Sequence, residues 1–127
     1  MIYGIGVDLV KVARLAAAIE RYGERFLNRV FTPREIAHCR GKTRGRDSAF
    51  ALRFAAKEAF SKALGVGLRR DGIRWREVEV VPNPMGKPEL VVSGRAAELC
   101  AAAGITATHL SLTDENDQAL AVVILER

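Results

Sequence analysis

The sequence predicts an α+β fold, in which a mostly antiparallel sheet packs against one long helix and several shorter ones. Alternating apolar residues at both ends of the chain predict strands. Residues 48–64 lack helix breakers and predict the long helix, and the turn signal at residues 83–86 separates two further strands. At 127 residues the chain fits one domain, covering residues 1–127.

The first predicted strand covers residues 2–9. Its odd-numbered positions form one face, and the opposite face consists of Ile2, Gly4, Gly6 and Asp8. The two glycines remove side chains from the face that carries Asp8. Interior glycines often mark a place where another group approaches the backbone.

Three helices follow this strand. The first covers residues 11–22, and Gly23 ends or bends it; its apolar face comprises Val12, Leu15, Ile19, Tyr22 and Phe26. A basic stripe of Arg14, Arg21 and Arg25 precedes that face by one residue. The second helix starts at Thr32 with Glu35 as its capping-box partner, and the long helix at residues 48–64 ends at Gly65.

The rest of the chain alternates between strands and one short helix. Strands are predicted at residues 73–81 and 88–92, and an alanine-rich helix at residues 94–103. The last two strands, at residues 107–113 and 118–126, are joined by an acidic turn.

Composition narrows the class of partner. The net charge of +5 favours an anionic partner, but the aromatic residues sit in patterns that predict core, which disfavours single-stranded nucleic acid. No apolar run is long enough to span a membrane, and no signal peptide is evident, so we expect a cytoplasmic protein. Cys39 and Cys100 match no zinc pattern with His38 and His109 and are expected to be unpaired thiols.

One face of the long helix carries the most informative residues, which are Glu58, Ser61, Lys62 and Gly65. A carboxylate, a hydroxyl, an ammonium group and an approachable backbone suit a magnesium-bound phosphate. The alternative is a solvated Glu58–Lys62 ion pair worth about 0.3–0.5 kcal/mol.

Asp8 is the natural second metal ligand, because magnesium usually takes one or two carboxylates together with water and phosphate oxygens. The alternative is an aspartate that accepts backbone hydrogen bonds at a strand end. No Walker motif and no obvious Ser-His-Asp or Cys-His arrangement is present, so a covalent enzyme intermediate is not expected.

Taken together, these segments resemble holo-acyl-carrier-protein synthases of the short bacterial type within the 4′-phosphopantetheinyl transferase family. The resemblance covers the whole chain and rests on IGVDL at 5–9 with Arg14, RVFTPRE at 29–35, RFAAKEA at 53–59, KALG at 62–65 and HLSLTDE at 109–115. Many members have a histidine where Asp114 stands, so any role of that histidine is not expected here.

The resemblance implies a Mg²⁺-dependent transfer of phosphopantetheine from coenzyme A to a serine of an acyl carrier protein, with release of adenosine 3′,5′-bisphosphate. It also implies a homotrimer with active sites between subunits. Asp8 and Glu58 would be the metal ligands, and Lys62 would contact the phosphates, with Ser61 and Gly65 nearby. The 3′-phosphate would bind the loop of residues 41–47 through Lys42, Arg44 and Arg46, and the turn ending at Pro88 would border the adenine.

Within this hypothesis, the stripe of Arg14, Arg21 and Arg25 would dock the acidic carrier protein. The proton acceptor stays open between Glu58, acting through water, and Lys62. Two rival hypotheses are a basic, non-enzymatic binding module and a hydrolase that uses the same metal site with water as nucleophile.

Overall fold

The computed structural model describes residues 1–68 and 71–127. Its elements are β1 (Ile2–Lys11), α1 (Val12–Val30), α2 (Pro33–Arg40), α3 (Arg46–Leu64), a 3-10 turn (Trp75–Glu77), β2 (Val78–Pro82), β3 (Pro88–Val92), α4 (Gly94–Ala102), β4 (Ala107–Glu115) and β5 (Gln118–Glu126). All strand pairs are antiparallel, in one sheet of order β1-β5-β4 and a separate β2-β3 hairpin. The predicted α+β class is confirmed, with the strands divided between two sheets.

The long helix α3 covers one face of the three-stranded sheet. The β5 side chains on this face, Ala119, Ala121, Val123 and Leu125, are fully buried. Helix α3 meets them with a run of buried alanines, so the helix and the sheet can approach closely.

Gly4 and Gly6 make the contact between β1 and α3 possible. A Cβ atom on Gly6 would lie 1.8 Å from the carbonyl oxygen of Ala59, and one on Gly4 would lie 1.9 Å from that of Ala63. The group that approaches these glycines is therefore the backbone of α3. This close contact brings the strand that carries Asp8 onto the helix that carries Glu58.

Helix α1 bends at Gly23, which adopts φ 60° and ψ −142°. Beyond the bend Leu27 and Val30 are buried, whereas Tyr22 is 57% exposed. The prediction that Tyr22 lies on the buried face was wrong, because the bend changes which positions of the helix face the core. Of the two outcomes predicted at Gly23, an end or a bend, the structure shows the bend, and the helix continues to Val30, beyond the predicted residue 22.

A buried ion pair joins α2, α3 and β2. The Nζ atom of Lys57, which is fully buried, donates to Glu35 Oε1 at 2.9 Å and to the carbonyl oxygen of Val78 at 2.6 Å. Glu35 also accepts from the backbone N–H groups of Thr32 and Val80, each at 2.9 Å. Burial lowers the pKa of Lys57, and the neighbouring Glu35 carboxylate opposes that shift.

The other face of the three-stranded sheet is apolar and open. Ile5, Val7 and Leu9 of β1 are 57%, 48% and 57% exposed. Their β5 partners Ile124, Val122 and Leu120 are only half-buried. Such a contiguous apolar patch is typical of an interaction surface.

The strand predicted at residues 73–81 was wrong in its first part, because Trp75–Glu77 form a 3-10 turn and β2 begins at Val78. Cys39 and Cys100 are free, as predicted; both are buried, and burial raises the pKa of Cys39 to about 11. Within residues 1–68 and 71–127, no helix has the length and apolarity needed to cross a membrane.

We predict that Gly6→Ala destabilises the fold by about 3 kcal/mol, since the added methyl group must displace the α3 backbone. Urea unfolding measures the change. Gly41→Ala is the matched control: Gly41 has an ordinary helical φ of −72°, and a Cβ there would lie 3.3 Å from its nearest neighbouring atom. Equal stability of the two variants would show that α3 does not constrain β1.

We also predict that Lys57→Met costs about 3–5 kcal/mol of unfolding free energy, because Glu35 would remain as an unpaired buried charge. The control Arg40→Met removes an exposed ion pair with Glu24 and is expected to cost less than about 1 kcal/mol. Similar losses in both variants, measured by urea unfolding, would contradict the structural role of the buried pair.

Candidate active site

Asp8 lies near the end of β1, beyond the glycines that contact α3. Its side chain is 14% exposed, and its Oδ1 atom accepts a hydrogen bond from Lys62 Nζ at 2.9 Å. Lys62 also donates to the carbonyl oxygen of Val7 at 3.0 Å. The ion pair that the structure shows for Lys62 is thus with Asp8 on the strand, and not the predicted alternative with Glu58.

Glu58 faces the same cleft as Asp8. The cleft measures about 370 Å³, and its other lining residues are Leu9, Val10, Lys11, Arg14, Phe54 and Gln118. Burial raises the pKa of Glu58, and the nearby Asp8 carboxylate raises it further, while Lys62 opposes both. The structure therefore brings the two predicted metal ligands together. We call this cavity the carboxylate cleft.

The donor set of the carboxylate cleft fits a hard divalent cation. Among the residues that the structure describes, no group of three or more His, Cys, Asp or Glu side chains could hold a metal ion. Two carboxylates are, however, the usual protein contribution to a magnesium site, where water and phosphate oxygens complete the octahedron. Lys11, Arg14 and Lys62 add positive charge around the pair, which suits a phosphate-bearing ligand.

A second cavity, of about 420 Å³, is lined by three of the four residues predicted to bind the nucleotide. Lys42 and Arg44 line it from the loop, and Pro88 lines it from the β2–β3 hairpin. Asp114 lies in the same cavity. We call it the basic cleft. Arg46 is not among its lining residues; its Nε atom donates to the carbonyl oxygen of Lys42 at 2.8 Å and so braces the loop.

Sequence reasoning missed Arg53, the most deeply buried cation of the basic cleft. Arg53 is only 6% exposed, and its Nη1 atom donates to the carbonyl oxygen of Ala49 at 3.1 Å. Its Nε atom is buried without a hydrogen-bond partner among the described residues. An unpaired buried donor beside Lys42 and Arg44 suits an anion. The available signal was an arginine placed among alanines on a helix predicted to pack tightly.

The pKa of His38, at the rim of the basic cleft, is lowered by its surroundings. Burial lowers the pKa of His38, and the cations Arg53 and Lys42 lower it further.

The two clefts open on opposite sides of α3 and share no lining residue. Phe54 and Glu58 face the carboxylate cleft, whereas Leu52 and Arg53 face the basic cleft. The first cleft adjoins β1 and the second adjoins β4, which are the two edges of the sheet. One chain therefore presents two halves of the predicted site without joining them.

The other predicted residues have diverse environments. Ser61 is buried, and its hydroxyl donates to the Glu58 carbonyl oxygen at 2.7 Å. Gly65 is exposed and ends α3 with φ 84°. Arg14, Arg21 and Arg25 are exposed along α1, as expected for a basic stripe, and Arg14 reaches the carboxylate cleft.

This arrangement can be compared with known proteins. A model of the 4′-phosphopantetheinyl transferase superfamily matches residues 4–123. The chain belongs to this superfamily.

Relatives of the superfamily match the full chain. The holo-[acyl-carrier-protein] synthase of Geotalea daltonii is 47% identical and is covered, like this chain, over its whole length. The crystal structure of the Neisseria meningitidis synthase aligns over 100% of both chains with a TM-score of 0.88 and 37% identity. The Helicobacter pylori synthase, solved in complex with coenzyme A, aligns over 96% of this chain and 99% of its own, with a TM-score of 0.84 and 31% identity.

These matches confirm the resemblance and the phosphopantetheinyl transferase fold predicted from the sequence, and they identify the chain as a transferase. The assignments of individual site residues remain predictions.

We predict that Asp8→Asn lowers the pKa of Glu58, because it removes a neighbouring negative charge and releases Lys62. Burial still holds the pKa above the ordinary value. A carboxyl ¹³C NMR titration of the metal-free protein measures the change. Glu20→Gln on α1, outside the cleft, is the control. An unchanged or higher pKa in Asp8→Asn would mean that the two carboxylates do not interact.

Proposed function

We propose that this chain is a holo-acyl-carrier-protein synthase that transfers 4′-phosphopantetheine from coenzyme A to a serine of an apo acyl carrier protein, with adenosine 3′,5′-bisphosphate as the leaving group. The observation that carries the proposal is the pairing of Asp8 and Glu58 in one cleft that also contains basic side chains. The names of the full-length relatives and the coenzyme A complex of one of them support the same reaction. We place the reaction in the cytoplasm, the location expected from the sequence.

Asp8 and Glu58 would hold Mg²⁺ through their carboxylates. When bound, the ion supplies Lewis-acid polarisation of the phosphoryl oxygens. Burial raises the pKa of Glu58 and the Asp8 carboxylate raises it further, so a cation held by these two residues would offset the repulsion between them.

The chain's own residues would perform the remaining work of positioning and charge neutralisation. Lys62 reaches Asp8 at 2.9 Å and would neutralise the charge that develops on the transferred phosphoryl group. The carrier serine oxygen forms the new P–O bond, and the bond to the bisphosphate leaving group breaks. The serine proton would pass to Glu58 through water, because Lys62, paired as a cation with Asp8, has no lone pair to accept it.

The nucleotide end of coenzyme A would occupy the basic cleft. Lys42, Arg44 and the buried Arg53 would bind the 3′-phosphate, and Pro88 would border the adenine. Arg46 would act through the loop conformation. Ser61 and Gly65 would lie near the phosphates, and the Ser61 hydroxyl donates its proton to the carbonyl oxygen of Glu58.

We further propose that the enzyme works as a homotrimer. The apolar face of β1 and β5 is exposed, and its burial between copies would stabilise an assembly. Because the two clefts lie on opposite sides of α3, a coenzyme A molecule would join the carboxylate cleft of one copy to the basic cleft of its neighbour.

Intact-mass spectrometry tests the proposed function. Apo acyl carrier protein, incubated with this chain, coenzyme A and Mg²⁺, is expected to gain the mass of one phosphopantetheine. A chelator should abolish the gain, as should Asp8→Ala or Glu58→Ala, because each removes a metal ligand. Glu20→Ala, which removes an exposed carboxylate from α1, should retain wild-type transfer.

Other outcomes would favour one of the two rival hypotheses, the hydrolase or the basic binding module. Release of phosphopantetheine from coenzyme A without a carrier would indicate the hydrolase. A folded wild-type chain that modifies no apo carrier, and that binds anionic partners without regard to magnesium, would indicate the basic binding module.

The proposed docking surface predicts a selective kinetic effect. Arg21→Glu should raise KM for the carrier about tenfold, because like charges then face each other. KM for coenzyme A should not change. Arg95→Glu on α4 is the matched charge reversal and should leave both constants near wild type. Equal increases in both KM values for Arg21→Glu would contradict docking on α1.

A further inference from the structure

Helix α1 is capped by a residue from the opposite end of the chain. Its own N-cap residue, Lys11, provides no side-chain hydrogen bond, and its first turn contains no acidic residue. The backbone N–H of Val12 instead donates to the carbonyl oxygen of Asp117 at 2.9 Å. The N–H of Ala13 donates to Asp117 Oδ1 at 3.0 Å. Asp117 therefore binds two of the amide donors that a helix start leaves unsatisfied.

The position of Asp117 is well defined. It lies in the turn between β4 and β5, and the pairing of β1 with β5 continues to Lys11 and Gln118 at this end of the sheet. The turn is thereby held beside the junction of β1 and α1. The carboxylate also lies at the positive end of the helix dipole, where negative charge is stabilising.

The capped end of α1 forms part of the carboxylate cleft. Arg14 directly follows Ala13, and Lys11, Arg14 and Gln118 line the cleft together with Asp8 and Glu58. The direction in which α1 leaves β1 decides where the Arg14 side chain lies relative to those carboxylates. An acidic residue is also unexpected beside a surface that should attract an acidic partner, and the hydrogen bond from the Ala13 N–H to the Asp117 carboxylate accounts for it.

We propose that Asp117 is a positioning residue for the transfer reaction: by capping α1 it holds Arg14 at the rim of the carboxylate cleft, where the acidic carrier protein docks. This inference rests on the proposed function, and in it Asp117 acts through the start of α1 and Arg14. The sequence indicated only an acidic turn at this place.

A double-mutant cycle between Asp117 and Arg14 tests the proposal, with the two KM values as the readout. Asp117→Ala should raise KM for the carrier about fivefold, the factor that corresponds to the loss of one helix cap, and leave KM for coenzyme A unchanged. Asp117→Asn keeps the Oδ1 acceptor and should stay within about twofold of wild type. In an Arg14→Ala background, Asp117→Ala should add little, because the group that it positions is absent.

Amide hydrogen exchange supplies a readout that does not depend on activity. The Ala13 amide, which donates to the Asp117 side chain, should lose protection in Asp117→Ala and keep it in Asp117→Asn. The Val12 amide donates to the backbone carbonyl oxygen of Asp117 and should stay protected in both variants. Glu115→Ala removes a neighbouring negative charge without touching the cap and should behave as wild type in both assays.

Several results would overturn the inference in an active enzyme. One is a full fivefold effect of Asp117→Ala in the Arg14→Ala background. Another is a parallel rise in KM for coenzyme A, and a third is failure of Asp117→Asn to rescue. A wild-type chain that transfers nothing to any apo carrier overturns the proposed function instead, and the inference falls with it.

Discussion

The contact between β1 and α3 is the constraint on which the rest of the site depends. Gly4 and Gly6 leave no side chain between the strand and the helix, so the carbonyl oxygens of Ala59 and Ala63 approach to distances that any Cβ atom would prevent. Asp8 follows on the same face of the strand, and Glu58 precedes Ala59 on the helix. The packing that closes the core therefore also brings two carboxylates together. Burial raises the pKa of Glu58, and the neighbouring Asp8 carboxylate raises it further.

The buried Lys57–Glu35 pair complements this contact, because it determines how α3 is rotated about its axis. Lys57 donates into α2 and β2, while the adjacent Glu58 turns toward β1. The same rotation directs Arg53 to the opposite side, into the basic cleft. Helix α3 thus places a carboxylate, Glu58, on one side and a cation, Arg53, on the other. Each side would then hold only half of the groups that bind a coenzyme A molecule.

Much of this arrangement follows from local pattern. Three short-range features of the sequence are present in the structure: the glycines of β1, the capping box at Thr32 and the face of α3 that carries Glu58. The remainder depends on contacts between distant segments. Tyr22 is exposed because of a backbone bend whose direction no periodicity encodes. The roles of Lys57 and Asp117 arise from partners far away in sequence. Residue spacing along one helix also does not reveal that its two faces serve separate clefts.

The central claim is that each chain carries two half-sites, which neighbouring copies combine into one transferring centre. Co-assembly of two inactive variants tests it directly: Glu58→Ala, impaired in the carboxylate cleft, and the double variant Lys42→Glu with Arg44→Glu, impaired in the basic cleft. If the halves combine between copies, random mixing in a cyclic trimer restores about one quarter of the wild-type centres, and transfer to the carrier recovers accordingly. Transfer no higher than that of either variant alone would show that both halves must lie on the same chain, and would contradict the account.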